Sequence, residues 1–278
     1  MRGLMLADGR RVPVLGQGTW HMGEAREQRA AEVAALRHGL DLGMTLIDTA
    51  EMYGDGGGEA VVAEAIAGRR DEVFVVSKAY PQNAGRQSLP QACAGSLRRL
   101  RIERIDLYLL HWRGSIPLGE SVAAFEALRA AGKIGAWGVS NFDAADMAEL
   151  TGLPGGAACA TNQVLYNPQA RGIEFDLLAW AAARSMPLMA YSPVGQGGRL
   201  LRAPALRRVA DRRGATPAQV ALAWAVRHAG VIAIPKATTP AHVQENAAAA
   251  ALTLDAADLA EIDAAFPPPQ RKQPLAIL

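Results

Sequence analysis

Short apolar runs recur along the chain, and each stops at a polar or otherwise special residue. Met44-Thr45-Leu46-Ile47 stops at Asp48, Val73-Phe74-Val75-Val76-Ser77 at Lys78, and Leu107-Tyr108-Leu109-Leu110 at His111. Further runs end at Gly18-Thr19-Trp20, Ser140-Asn141, Asn162-Gln163, Tyr191-Ser192 and Lys236, which makes eight. Runs this short predict strands buried on both faces. Amphipathic stretches with helical start signals lie between them: Arg29 to Leu42, Glu59 to Ala67, Ser88 as a cap before Leu89-Pro90, and Asp143 before Ala144 to Leu150. Thr216-Pro217 with Gln219 reads as a capping box opening a helix to His228, Thr239-Pro240 opens another, and Asp255 to Phe266 is the last.

Eight strand–helix repeats predict an α/β fold, a (β/α)8 TIM barrel occupying residues 1–278 as one domain. Residues 2–14 read as a hairpin with its turn at Asp8-Gly9. A doubly wound sheet would need a glycine fingerprint on its first turn, and Gly16-Gln17-Gly18 does not continue into one. The glycine-rich Gly54-Asp55-Gly56-Gly57-Gly58 reads as a flexible loop. After Pro267-Pro268-Pro269 only a short tail follows, which is expected to contribute few contacts and leave a shallow, permissive pocket.

Composition narrows the function. Half of the 278 residues are hydrophobic and the net charge is +2, with no basic cluster interleaved with aromatics, so neither disorder nor a nucleic-acid groove is expected. No run approaches the ~18 apolar residues of a membrane helix. The start of the chain lacks a signal-peptide pattern, and Cys93 and Cys159 sit in apolar surroundings as reduced core thiols. A cytoplasmic protein that acts as a monomer is the expectation. Only Lys78, Lys133, Lys236 and Lys272 are lysines among 29 basic residues, which singles out a lysine closing a buried strand, because lysine, unlike arginine, can be tuned in pKa.

In such a barrel the C-terminal strand ends form one rim. Asp48, Lys78 and His111 then fall together, with Tyr53 on the loop beyond the first. An ammonium beside a phenol is expected to lower its pKa, and a carboxylate holds the ammonium in place. A neutral histidine can orient the oxygen of a bound carbonyl. This set can protonate a developing alkoxide, and the hydride must come from elsewhere.

Asp48, Tyr53, Lys78 and His111, in the contexts LIDTAEMYG, VVSK and LLHW, resemble the catalytic tetrad of the aldo-keto reductase superfamily. GQGTW, GVSNF and TNQVLYN also match, and the resemblance runs from Gly16 to Asn246. Bacterial members that reduce methylglyoxal and related small aldehydes are the most similar in appearance. The resemblance implies NADPH-dependent reduction of a small-molecule carbonyl, with the N-terminal hairpin closing the barrel bottom. It further implies that Thr19, Ser140, Asn141, Gln163 and Tyr191 face the nicotinamide. Ser192, Pro193 and Gly195 belong to the loop over the pyrophosphate. Lys236, Ala237, Thr238, His242, Glu245 and Asn246 occupy the segment at the adenosine end. Ala237 stands where the family has a serine and His242 where it has an arginine, which weakens the grip on the 2′-phosphate. Trp20, Tyr80 and Trp112 would wall the substrate pocket, while Trp137, Trp180 and Trp224 read as core.

A non-catalytic NADP(H)-binding barrel is the alternative, and it would call for a broken tetrad. A metal-dependent hydrolase is disfavoured because, of His21, His38, His111, His228 and His242, one falls convincingly on the rim.

Overall fold

The computed structural model describes residues 1–6 and 9–278. An antiparallel hairpin, β1 (Gly3–Met5) with β2 (Arg11–Pro13), comes first. Of its expected turn, Asp8 lies outside the described residues, and Gly9 has a φ of 81°. Eight parallel strands follow in consecutive order: β3 (Gln17–Gly18), β4 (Leu46–Asp48), β5 (Phe74–Ala79), β6 (Ile105–Leu110), β7 (Ile134–Ser140), β8 (Asn162–Leu165), β9 (Leu188–Tyr191) and β10 (Val231–Ala233). The sheet closes where Leu15, just before β3, bridges in parallel to Ala233. Gly16 N donates to Ala233 O and Ala233 N to Val14 O, both at 2.9 Å. The expected (β/α)8 barrel is thus formed. The eighth run, expected to reach Lys236, is regular strand only to Ala233, although Ile234 N still donates to Ala190 O and Gly18 N to Pro235 O, and Pro235 itself has no N–H to give.

Outside the barrel lie α1 (Arg29–Asp41), α2 (Gly57–Ala65), α3 (Ser88–Leu100), α4 (Leu118–Ala130), α5 (Ala144–Gly152), α6 (Leu177–Ala182), α7 (Pro204–Arg213), α8 (Pro217–Ala225), α9 (Pro240–Ala248) and α10 (Ala256–Ala265). Asp143, Thr216 and Asp255 cap their helices in full capping boxes, and Thr239 caps α9. Ser88 does not cap: it is already helical, and its hydroxyl accepts from Gly85 N at 3.1 Å.

Strand side chains alternate between two cores. Ile47, Val75, Leu110, Val139 and Val164 pack outward against helical residues such as Leu36, Val62, Leu89 and Phe125. Leu46, Phe74, Val76, Leu107, Leu109, Met189, Ile232 and Ile234 fill the interior, and the hairpin adds Leu6 and Val12 from below. Two residues beyond Leu46, Val76 and Leu109, the same inward parity reaches Asp48, Lys78 and His111.

The hairpin is bolted as well as packed. Asp106 accepts from Arg10 at 2.8 Å, from Arg70 at 2.7 Å and from Val75 N at 2.9 Å, and the Arg10 guanidinium lies 4.5 Å from the Phe74 ring centroid. Asp106→Ala would leave those donors without their common acceptor. We expect the unfolding free energy to fall by about 2–4 kcal/mol. Urea denaturation followed by circular dichroism measures it, and a change near zero would show that the hairpin is held by packing alone.

Candidate active site

The polar cluster at the top of the barrel is built around one ammonium. Lys78, with no exposed surface, donates to Asp48 Oδ2 at 2.7 Å, to the Thr49 carbonyl at 2.8 Å and to the Tyr53 hydroxyl at 3.1 Å. A lysine has three N–H donors, so all are used. The Tyr53 oxygen receives one of them, which leaves its own proton free to be donated elsewhere. Asp48 also accepts from Gln163 Nε2 at 2.7 Å. Two donors at that distance are what an ionised carboxylate takes.

Burial alone would lower the pKa of Lys78, but the Asp48 carboxylate and then Tyr53 more than reverse it, so the ammonium is retained. Burial pushes the Tyr53 hydroxyl above its ordinary range, and Lys78 opposes that shift without overcoming it. The expectation of a lowered tyrosine pKa is therefore corrected: desolvation outweighs the neighbouring charge, and Tyr53 holds its proton at neutral pH. His111 is pushed down to about 2, first by burial and then by the Lys78 charge. It is a neutral imidazole across the physiological range, its Nδ1 is buried with no partner among the described residues, and its ring stands edge-on to Tyr53 with centroids 5.8 Å apart.

A cavity of about 610 Å³ opens above this cluster. Of the expected residues it is lined by Thr19, Trp20, Asp48, Tyr53, His111, Trp112, Ser140, Asn141, Gln163, Tyr191, Ser192, Pro193, Lys236, His242, Glu245 and Asn246. Lys78 lies beneath the floor. Tyr80 stands back from the cavity with its ring edge-on to Trp112 at 6.0 Å, so it supports a wall rather than forming one. Gly195, Ala237 and Thr238 are also outside the lining.

Three expected cofactor residues are bonded to one another. Asn141, in the left-handed region at φ 62°, donates to the His111 carbonyl and to Ser140 Oγ, and accepts from the Tyr191 hydroxyl at 2.9 Å. The Thr19 hydroxyl is committed to the Asp48 carbonyl at 2.9 Å. Lys236 and His242 are exposed at the other end, and no ion pair occupies Lys236 among the described residues. Trp137 and Trp224 are core as expected, whereas Trp180 is only half-buried beneath the Arg184 guanidinium. Cys93 and Cys159 are free, and burial pushes each up to about 12. Among the described residues no cluster suits a metal ion, and no helix is long and apolar enough to cross a membrane.

The tail departs from expectation. Ile277 and Leu278 line the cavity, with the Leu278 backbone near enough to the Tyr191 hydroxyl to bear on its ionisation. Lys272 reaches Asp143 and Asp176, which steers the tail across the rim. Met52 and Leu201, also missed, complete the apolar side. The apolar ending Leu275-Ala276-Ile277-Leu278 after a polar stretch was the available signal for the first two. The glycine turn is likewise packed rather than loose: a Cβ at Gly57 would come within 2.5 Å of the Gly23 carbonyl oxygen.

Residues 14–266 match the family model described as "Aldo/keto reductase family". The chain is 57% identical over 268 residues to the methylglyoxal reductase YeaE of Escherichia coli K12, covering 95% of this chain and 94% of that protein. An aldo/keto reductase from Klebsiella pneumoniae, crystallised with NADP and acetate, superposes with a TM-score of 0.98 at 52% identity, covering 99% of each chain. A Klebsiella pneumoniae aldo-keto reductase in complex with NADPH gives a TM-score of 0.97 at 51% identity over 100% of each chain.

The His111 shift makes a stability prediction. The unfolded chain takes up a proton below the ordinary value of 6.5, while the native imidazole stays neutral until about 2. The unfolded state thus binds more protons, and this group's contribution falls as pH falls, by about 1.4 kcal/mol per pH unit at most. Between pH 6 and pH 5, a His111→Gln protein should lose about 1 kcal/mol less stability than the parent. Guanidinium denaturation of both at the two pH values checks this, and equal losses would mean that the imidazole is not held neutral.

Proposed function

The chain belongs to the aldo/keto reductase family, and from that premise we propose that it is an NADPH-dependent reductase of small aldehydes and 2-oxoaldehydes of the methylglyoxal kind, with Tyr53 as the proton donor. The observation that carries the reading is the Lys78–Tyr53 hydrogen bond, in which the phenol accepts from an ammonium and keeps its own proton to give.

The residues present fit the cofactor. Asn141, Ser140 and Gln163 offer amide and hydroxyl groups suited to a carboxamide, and the Tyr191 ring adjoins them. Lys236 gives a cation for a phosphate at the opposite end. When bound, NADPH supplies the hydride that the carbonyl carbon receives.

The chain's own groups do the rest. His111 is neutral, so it can donate a hydrogen bond to the carbonyl oxygen without competing for the proton. Tyr53 delivers its proton to that oxygen as negative charge develops there. The phenolate left behind is met by the Lys78 ammonium, which Asp48 holds in place. Trp20, Trp112, Met52, Ile277 and Leu278 give the cavity an apolar lining of limited size, which favours small carbonyl compounds over bulky ketones.

Tyr53→Phe keeps the ring and removes the proton donor. It should lower kcat by about 10² to 10⁴-fold while NADPH binding stays within about twofold. Stopped-flow reduction of methylglyoxal measures the first and tryptophan fluorescence titration the second. A loss under about tenfold would reject Tyr53 as the acid.

NADPH should bind more tightly than NADH, because the extra phosphate meets Lys236. His242→Arg adds a permanent, bidentate cation beside it, so NADPH affinity should rise by about fivefold with NADH unchanged. Dissociation constants for both nucleotides decide the matter, and an unaltered ratio would show that this segment does not read the phosphate.

A further inference from the structure

Glu59 has no exposed surface and does not line the cavity, yet both of its carboxyl oxygens are hydrogen-bonded. It lies in the first turn of α2. Its Oε1 accepts from the Ser77 hydroxyl at 2.6 Å and its Oε2 from Arg99 Nε at 2.6 Å. Ser77 immediately precedes Lys78 on β5 and points to the opposite face of the strand. Arg99 comes from α3 and lies across Gly56: a Cβ there would come within 2.4 Å of Arg99 Cδ and 2.5 Å of its Nε. Gly56, at φ 85°, ends the short turn that starts with Tyr53.

One carboxylate is therefore bonded on one side to the strand that carries the ammonium. On the other side it holds Arg99, which lies over the glycine ending the turn that carries the phenol. Charge-assisted hydrogen bonds of this length are the stiff ones in a protein, and the Ser77 arm is fully buried while the Arg99 arm is partly open to solvent.

We infer that Glu59 is a positioning residue for the reduction: through Ser77 and Arg99 it sets the separation of Lys78 and Tyr53. It thereby sets how strongly the ammonium stabilises the phenolate that forms when Tyr53 gives up its proton. The inference rests on the reading of Tyr53 as the acid. No atom of Glu59 need touch substrate or cofactor for this.

Two variants break the arms separately. Ser77→Ala removes the strand arm and leaves the Arg99 pair. Glu59→Gln can still accept from Ser77, but then turns an amide donor toward the Arg99 donor. For each, kcat of methylglyoxal reduction, the NADPH dissociation constant, the melting temperature and the pH profile of alcohol oxidation with NADP⁺ are measured. The oxidation reaction needs the phenolate, so the limb over which its rate rises with pH reads the ionisation of Tyr53. A weakened Lys78–Tyr53 bond should lower kcat by about fivefold and move the limb to higher pH, with NADPH affinity within about twofold. A purely structural role would lower the melting temperature and leave the limb where it stands in the parent, and that result would overturn the inference. Should Glu59→Gln fail to fold, Ser77→Ala, the smaller change, decides alone. Tyr53→Phe is the control: if it retains the limb, the reading of the acid fails, whereas a limb lost there but unmoved in Ser77→Ala refutes only the role of Glu59.

Discussion

A buried ammonium needs an acceptor for each of its three protons, and that requirement organises the top of the barrel. Lys78 finds them on three successive pieces of chain: a strand end (Asp48), the residue after it (Thr49) and the turn beyond (Tyr53). Their convergence depends on β4 and β5 being parallel neighbours with Asp48 opposite Val76, two residues before Lys78. The same charge helps hold His111 neutral. The Tyr53 phenol, the Lys78 ammonium and the neutral His111 imidazole are therefore one electrostatic arrangement.

The two ends of the barrel are made differently from the same inward parity. Toward the bottom, Phe74, Leu107 and Ile232 meet the apolar side chains of the hairpin, and the interior is sealed. Toward the top, that parity turns to Asp48, Lys78 and His111, and the interior opens into the cavity. A chain that alternates strictly places its polar residues inside wherever the apolar ones stop.

That regularity is why so much was legible in the sequence. The eight run ends and the capping boxes are local signals, and the strands and helices form where they stand. Cavity positions such as Asp48, His111 and Asn141 were legible because each closes or directly follows an apolar run. What escaped depends on distance in space. Ser88 looks like a cap, yet it is itself the first helical residue and its hydroxyl accepts from Gly85 N, ahead of the helix. The Tyr53 shift is set by desolvation, which is a property of the assembled barrel and of no single neighbour. The glycines after Tyr53 suggest looseness until Gly23 from another loop is found against them. Ile277 and Leu278 return to the cavity across a rim where Lys272 meets Asp143 and Asp176, residues far away along the chain.

The closure of the barrel has a dynamic corollary. β3 pairs with β4 through Gln17 and Gly18 and reaches β10 through the Leu15–Ala233 bridge, whereas β6 and β7 stay paired from Ile105 to Leu110. Short hydrogen-bonded ladders open before long ones. The amides of Gly16, Gly18 and Ala233, bonded across this seam, should therefore trade with solvent deuterium before those between β6 and β7. Thr19 and Trp20 continue from β3 into one cavity wall, and Lys236 follows β10 into the adjoining one. Breathing of this seam loosens the cavity along its length while the Asp48–Lys78 side, one strand pair away, remains closed.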